Sequence, residues 1–243
     1  DHHGNTHSEF PTTSTYGINQ PATILNLNQD PYLEILITDL NGGIYSFDHN
    51  GIIITQISIN SPISSSLSIA DLNRDGDVEL VFFDYDNNIH ALSFNLEESL
   101  EGWPVNLNSL SYSEPIIVDI DNDSDLEVIS TTDIGEVYII HHDGSFYNNF
   151  PYISQDSIFS TPSIGDLDND GDYELVFGTN EALNVLDINE SAGSQYSWNT
   201  YRGNSMRNGH FNIELSELSY KNLQTGWFLP HVQRFFANHS PAH

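Results

Sequence analysis

Short apolar segments alternate with acidic loops along most of this chain, and the alternation has a nearly fixed period. Each acidic loop is nine residues long, follows an apolar segment and precedes a second segment rich in Ile, Val, Leu and Phe. The four loops begin at Asn26, Asp71, Asp119 and Asp166, which are 45, 48 and 47 residues apart. A repeat of this length indicates one supersecondary unit used several times, so the fold has to be derived from the repeat.

Two further segments complete each repeat. A short polar turn leads into a third segment of alternating character, and in two repeats the fourth segment opens with an aromatic residue and proline, at Trp103-Pro104 and Phe150-Pro151. Four strands of period-two character per repeat are typical of a β-propeller blade. The pattern predicts an all-β protein with at least four four-stranded blades over residues 21–200, in a closed or an incomplete ring.

The ends of the chain also carry parts of the pattern. Phe10-Pro11 precedes the first loop by the same distance as Phe150-Pro151 precedes the fourth, which predicts that residues 1–20 form the outer strand of a preceding or closing blade. Trp198 follows the fourth loop at the distance at which Trp103 follows the second, which predicts a fourth strand for the last blade. Residues 201–243 match no repeat and are interpreted as a tail.

The charge of the chain excludes some partners. Asp and Glu number 35 against five Lys and Arg, which gives a formal charge of −30. Such a surface repels nucleic acid and anionic membranes and attracts cations. An acidic soluble surface from a salty habitat is an equally good interpretation. No apolar run is long enough for a membrane span, and the absence of cysteine excludes disulfides and thiolate metal sites.

The loops have the chemistry of calcium ligands. Oxygen-bearing side chains occupy positions 1, 3, 5 and 9, and position 7 offers its backbone carbonyl. Calcium takes six to eight oxygen ligands of these kinds. An EF-hand places its Glu at position 12 on a helix, whereas here Glu is at position 9 and begins a strand. The candidate ligands are Asp71, Asn73, Asp75, Asp77 and Glu79; Asp119, Asp121, Asp123, Asp125 and Glu127; and Asp166, Asp168, Asp170, Asp172 and Glu174.

The four loops are not equivalent. Position 6 is expected to need a positive φ, which suits Gly76 and Gly171, strains Ser124 modestly and is impossible for Pro31. The fourth loop is therefore predicted to bind best and the first to be weak or empty, with about three calcium ions per chain. Acidic turns without metal are the alternative, favoured only for the first loop. Its candidate positions are Asn26, Asn28, Asp30, Tyr32 and Glu34.

The arrangement resembles the FG-GAP repeats of integrin α-subunit propellers and of secreted bacterial relatives with VCBS-type repeats. The resemblance covers about residues 20–200 and rests on the four in-phase loops; the stretch WNTYRGNSMRNGHF also looks like a segment that follows the last blade in some bacterial members. It implies a propeller that binds one calcium ion between the first two strands of a blade. A shared fold does not fix a function.

No catalytic motif accompanies the loops: G-x-S-x-G, H-E-x-x-H and a Gly-rich phosphate loop are all missing from the sequence, so no enzyme is predicted. His141 and His142 are expected to point to opposite faces of a strand and to face solvent. We expect a secreted or cell-surface binding, adhesion or structural module with a glycan or protein ligand, or self-assembly through its termini. The alternatives are a non-catalytic accessory propeller of a polysaccharide-degrading enzyme and an architectural subunit of a surface layer or filament.

Overall fold

The computed structural model describes residues 16–94 and 98–191 except residue 29, together with residues 193, 196–198 and the single positions 3, 5, 6 and 10. Within these residues the chain has seventeen β-strands in four antiparallel sheets and no helix. The all-β prediction is confirmed. The predicted tail and most of the predicted N-terminal outer strand lie outside the described residues.

The first two sheets each contain one repeat. In the first sheet the strands are β1 Thr23–Leu25, β2 Glu34–Thr38, β3 Gly43–Phe47 and β4 Ile53–Ser58, paired in chain order. In the second they are β5 Ser68–Ala70, β6 Glu79–Phe83 and β7 Asn88–Ser93, and the outer edge of β7 is shared by β8 Glu98–Ser99 and β9 Val105–Asn106. β9 follows Trp103-Pro104, so the prediction of an outer strand after this dipeptide is confirmed.

The third and fourth sheets repeat the arrangement. The third contains β10 Ile116–Val118, β11 Glu127–Thr131, β12 Glu136–Ile140 and β13 Tyr152–Ile153. The fourth contains β14 Ser163–Gly165, β15 Asp172–Gly178 and β16 Leu183–Ser191, and no fourth strand among the described residues. β13 follows Phe150-Pro151 and pairs with β12, as predicted.

The prediction for Trp198 is wrong. Residues Tyr196–Trp198 form β17, which pairs antiparallel with β10 of the third sheet, opposite Ile117 and Val118. The free edge of β10 exposes backbone N–H and C=O groups, and any segment that reaches it can satisfy them. Spacing along the chain indicated that a strand was due at this point but not which edge it would meet.

The sheets pack face to face around apolar side chains that alternate along the strands. In β11, Val128 belongs to the cluster shared with the first and second sheets, whereas Ile129 belongs to the cluster shared with the fourth. In β12, Tyr138 likewise belongs to the cluster shared with the first and second sheets, and Ile139 to the cluster shared with the fourth. Because successive side chains of a strand point to opposite faces, a sheet between two neighbours is apolar on both. This is how neighbouring blades share their cores.

Polar side chains also join neighbouring repeats. They lie at or just before the first strands of the second, third and fourth sheets, and each partner pair is 47 residues apart, about one repeat. A position in one repeat therefore bonds to nearly the same position in the next, which fixes the stacking of the sheets. The bonds run from Ser64 Oγ to the Ser111 carbonyl (2.8 Å), from Ser68 Oγ to the Pro115 carbonyl (2.6 Å) and from Glu114 N–H to Thr161 Oγ1 (3.0 Å).

Candidate metal sites

The four acidic loops occupy the same place in every sheet, between its first and second strands. In the first three sheets the glutamate at position 9 is the first residue of the second strand, and in the fourth Glu174 lies two residues into β15. In all four loops the Oε2 atom of this glutamate accepts a hydrogen bond from the backbone N–H of position 2, at 2.5 to 3.1 Å. This bond anchors the carboxylate across the loop. The only signal for it in the sequence was an invariably apolar residue at position 2.

In the second and third loops an oxygen atom at position 1 lacks a partner, and in the second loop so does one at position 9. Oδ1 of Asp71, Oε1 of Glu79 and Oδ1 of Asp119 are buried and have no hydrogen-bond partner among the described residues. A buried acceptor left in this way costs about 1–3 kcal/mol, and more when it is charged. Carboxylate oxygens are the ligands that calcium prefers. The donor set therefore fits a hard divalent cation.

The third and fourth loops bring their predicted ligands together. Oxygen atoms of Asp119, Asp121 and Glu127 all lie within 4.8 Å of one another. The same holds in the fourth loop for Asp166, Asp168 and Glu174, and for Asp170, Asp172 and Glu174. Asp119 is buried and Asp166 is exposed, so the third loop is the more enclosed of the two.

In the second loop, Asn73 turns its amide towards a neighbouring ligand: Asn73 Nδ2 donates to Asp75 Oδ2 at 2.9 Å. In the second and third loops the backbone N–H of the position-7 residue, Asp77 or Asp125, donates a hydrogen bond to the carboxylate at position 5, at 2.8 Å in each case. These Asx-type bonds shape the turn.

The backbone conformation confirms the expectation for position 6. Gly76 and Gly171 have φ of 95° and 99°, and Ser124 adopts φ of 88° despite its Cβ. A non-glycine residue in this region costs on the order of 1 kcal/mol or more. Position 4 is left-handed as well, which sequence reasoning missed although asparagine, which tolerates this region, stands there in two loops. The residues are Arg74, Asn122 and Asn169, with φ of 59°, 60° and 63°.

The first loop is closed differently. In the second and fourth loops the N–H of Gly76 or Gly171 donates to the position-1 aspartate, at 3.1 and 3.3 Å. Pro31 has no N–H to donate. Instead Asn26 Nδ2 donates to the Asp30 carbonyl at 2.6 Å, which closes the first loop with a neutral amide. Oδ1 of Asn26 is also buried without a partner, but it carries no charge that has to be neutralised.

Burial changes the protonation of the enclosed carboxyls. Burial, with a smaller contribution from the neighbouring aspartates, raises the pKa of Glu79 to about 7 and that of Glu127 to about 8. Burial also raises the pKa of Asp71 and Asp119. Without a cation, the glutamates of the second and third loops therefore hold protons near neutral pH. A bound cation would displace them, because metal ligands must be deprotonated.

The two histidines are only partly exposed, at 28% and 35% of their side chains, rather than fully solvent-facing as expected. His141 Nδ1 lies 3.2 Å from Glu127 Oε1, and His142 Nδ1 lies 3.5 Å from Asp125 Oδ2. β12 ends at Ile140, so the alternation of a strand no longer applies to the residues after it. Both rings consequently turn towards the third loop.

A glycine that sequence reasoning missed joins the third and fourth loops. Gly193 N–H donates to the Asp119 carbonyl at 3.1 Å, and Tyr173 Oη donates to the Gly193 carbonyl at 2.7 Å. A Cβ atom at this position would collide with Asp119 Cγ. Only glycine permits this approach, which ties the segment before β17 to position 1 of the third loop and position 8 of the fourth.

A second group of polar and aromatic residues lies at the turn between β6 and β7. Because successive connections of an antiparallel sheet alternate between its ends, this turn is at the end opposite the acidic loops. Tyr85 and Tyr112 are about half exposed there, with ring centroids 6.3 Å apart at 73°. Burial would raise the pKa of the nearby Asp84, but hydrogen bonds from His90 and Asn88 lower it, so the carboxylate stays charged.

Comparison with known proteins supports the fold only. No family model matches the chain, and no curated protein matches it. Two crystal structures of BBS1N in complex with ARL6DN, soaked with lead or mercury, match with TM-scores of 0.52 and 0.51 and identities of 12% and 16%. They cover 81% and 71% of this chain and 56% and 48% of BBS1N, so the chain spans about half of that protein. BamB from Moraxella catarrhalis matches 73% of this chain and 51% of its own at 17% identity, with a TM-score of 0.49.

The BBS1N similarity places this chain among β-propeller-like folds. Identities this low say nothing about ligand or activity. In the described part of the chain, none of the secondary structure is a helix long and apolar enough to cross a bilayer.

Proposed function

We propose that this chain is an extracellular, calcium-stabilised β-propeller of FG-GAP type that acts as a binding, adhesion or structural module. One observation carries the proposal. Repeated loops with the predicted ligand pattern hold buried carboxylate oxygens that have no hydrogen-bond partner within the described part of the chain, at Asp71, Glu79 and Asp119. A chain with 35 acids against five bases gains from a cation at each such point.

Calcium in these loops would serve the structure rather than a reaction. When bound, it supplies the positive charge that offsets the repulsion among the carboxylates. The loop residues hold it between the first two strands of a sheet, and Glu79 and Glu127 link it to the hairpin. A ligand at 100 times its dissociation constant adds about 2.7 kcal/mol to the folded state. Three sites would therefore contribute as much as the whole stability of a typical domain, about 5–15 kcal/mol.

A secreted or cell-surface location suits this role. Extracellular modules bind calcium with dissociation constants of about 10⁻⁴–10⁻³ M, which matches sites used for stability rather than signalling. The charge of −30 argues against nucleic acid as a partner.

A glycan is the ligand class that the exposed surface favours. Tyr85 and Tyr112 present half-exposed rings, and Asp86 and Asn87 lie in the same turn. Aromatic rings that pack on apolar faces, combined with carboxylate and amide groups, are suited to sugars. We propose non-catalytic binding, either free-standing or as an accessory to a polysaccharide-degrading enzyme.

The calcium proposal is tested by thermal unfolding in excess calcium and in EDTA, with bound metal counted by elemental analysis in the same sample. We expect a large fall in Tm on chelation and about three calcium ions per chain. An unchanged Tm without bound metal would contradict the proposal and leave the loops as acidic turns.

The glycan proposal is tested by a glycan array in calcium buffer, followed by titration with Tyr112→Ala. Tyr152, an exposed tyrosine of the outer strand β13, provides the matched control. We expect Tyr112→Ala to weaken any detected binding at least tenfold and Tyr152→Ala to leave it unchanged. Equal effects of the two substitutions would place the ligand elsewhere.

A further inference from the structure

The outer strand of the first sheet differs from the outer strands of the next two. β4 is six residues long, whereas β8, β9 and β13 contain two residues each. β4 pairs with β3 on one side only, and no described strand pairs with its other edge. Three consecutive isoleucines lead into it, Ile52 just before the strand and Ile53 and Ile54 as its first residues, and they are 64%, 46% and 50% exposed. A long apolar edge is a template for another strand.

The charge distribution singles out the same strand. Residues 49–70 contain no Asp, Glu, Lys or Arg, although the chain has 35 acidic residues. Two copies of a chain with a charge of −30 repel each other over most of their surfaces. Within β4 itself no carboxylate has to be opposed or desolvated.

The usual protection of an edge strand is partial here. Natural edges are shortened, charged, interrupted by proline or twisted away by a bulge. β4 has a single such feature, a register shift opposite Ser46 and Phe47 that leaves Ile54 without a partner on β3. The regular part of the strand, Thr55–Ser58, continues beyond the shift with an open edge.

We propose that β4 is a self-association edge, at which two copies of the chain pair antiparallel about a two-fold axis. The pairing would join two four-stranded sheets into one sheet of eight strands, with the isoleucines at the start of each β4 beside the end of the partner's β4. A two-fold interface brings the same segment of both copies together, so both sides are free of charge. This proposal is independent of calcium binding.

The size of the edge determines the strength of the pairing. Stable interfaces bury about 1,200–2,000 Å², and six residues of one edge offer much less. The dimer is therefore weak and depends on concentration. Salt should strengthen it, because screening reduces the repulsion between the acidic bodies and no ion pair holds the interface.

Sedimentation equilibrium of the full chain in calcium buffer tests the proposal, from micromolar to submillimolar concentrations at low and high NaCl. We expect a monomer–dimer equilibrium that shifts towards dimer with salt. Ile54→Lys should weaken it at least tenfold, although the substitution lowers the net negative charge. Leu183→Lys is the matched control, because Leu183 is 75% exposed but lies on the fourth sheet.

A second variant addresses the backbone. Thr55 N–H points towards β3, where it donates to Ser46 Oγ at 3.1 Å, so by alternation the N–H of Gln56 faces outwards. Gln56→Pro removes this outward donor and should abolish dimerisation. Since a folding defect would have the same effect, hydrogen exchange of the unmodified chain is measured as well, and amides of residues 53–58 should exchange more slowly as concentration rises.

Several outcomes would overturn the proposal. These are a monomer at every concentration and salt, a dimer that salt dissociates, or a dimer that Leu183→Lys disrupts and Ile54→Lys does not. Protection that does not change with concentration at residues 53–58 would contradict it in the same way.

Discussion

The loops of residues 26–34 and 119–127 occupy the same place in their sheets but are closed by different interactions. The first is closed by Asn26 Nδ2, which donates to the Asp30 carbonyl, and the third leaves Asp119 Oδ1 buried without a partner. Both share the bond from the position-9 glutamate to the N–H of position 2. The glutamate bond therefore belongs to the hairpin, and the two loops differ at positions 1 and 6.

The backbone at position 6 reinforces the difference. Ser124 holds φ of 88°, a conformation that Pro31 cannot reach. The first loop avoids this strain and carries no charge at positions 1 and 3, so one fold position supports a self-closed turn and a candidate calcium site.

Loss of the third site is the largest expected effect. Asp119→Asn keeps the shape of the side chain and removes its charge. We expect one calcium ion fewer per chain and a Tm in calcium lower by about 5–10 °C, equivalent to roughly 2–3 kcal/mol in a domain of this size. Asp30→Asn in the first loop is the control and should leave both values unchanged. Equal losses in the two variants would remove the distinction between the loops.

Conversion of the first loop into a calcium site should raise the calcium content and Tm by an amount similar to or smaller than the loss caused by Asp119→Asn. Asn26→Asp, Asn28→Asp and Pro31→Gly together restore the charge, the N–H and the freedom of position 6. We expect elemental analysis to rise from about three to about four calcium ions, and the difference in Tm between calcium and EDTA to grow by several degrees. An unchanged metal count would mean that positions 1, 3 and 6 do not define the site.

The pH dependence of the cation-free chain has a definite sign. Folding raises the pKa of Glu79 to about 7 and of Glu127 to about 8, from 4.5. Their contribution to stability is present below about pH 4.5 and is lost as pH rises towards 8. We expect Tm in EDTA to fall by a few degrees from pH 5 to pH 8, and the stabilisation by calcium to increase over the same interval.

Glu127→Gln should flatten this profile, because its neutral side chain does not titrate. A Tm in EDTA that rises steadily between pH 5 and pH 8 would contradict the assignment.

The smallest expected effect concerns the link between the third and fourth loops. Gly193→Ala places a Cβ against Asp119, whereas Gly165→Ala, the control, meets nothing within 4 Å. Trypsin has few sites in this chain, and Arg202 follows β17 closely. The rate of tryptic cleavage at Arg202 is measured by mass spectrometry in calcium buffer. We expect Gly193→Ala to raise this rate several-fold, and Gly165→Ala to be cleaved at the rate of the unmodified chain. Equal cleavage rates in the two variants would show that Gly193 does not hold the segment.

The sequence by itself determined the features that arise within one repeat. Alternating apolar positions predicted the strands, and the spacing of oxygen-bearing residues predicted the loops. Glycine at position 6 predicted a left-handed backbone there, which Gly76, Ser124 and Gly171 all show. Period and residue type carry this information because the interactions involved span only a few residues.

Only the tertiary structure decided which edges and faces meet. The pairing of Trp198 with Ile117, the approach of His141 to Glu127 and the contact of Gly193 with Asp119 connect residues that no local pattern relates. Spacing predicted that a strand was due near Trp198, yet the open edge of β10 settled its partner. An unpaired backbone edge is satisfied by whichever segment the folded chain brings to it, and that depends on the packing of all the sheets.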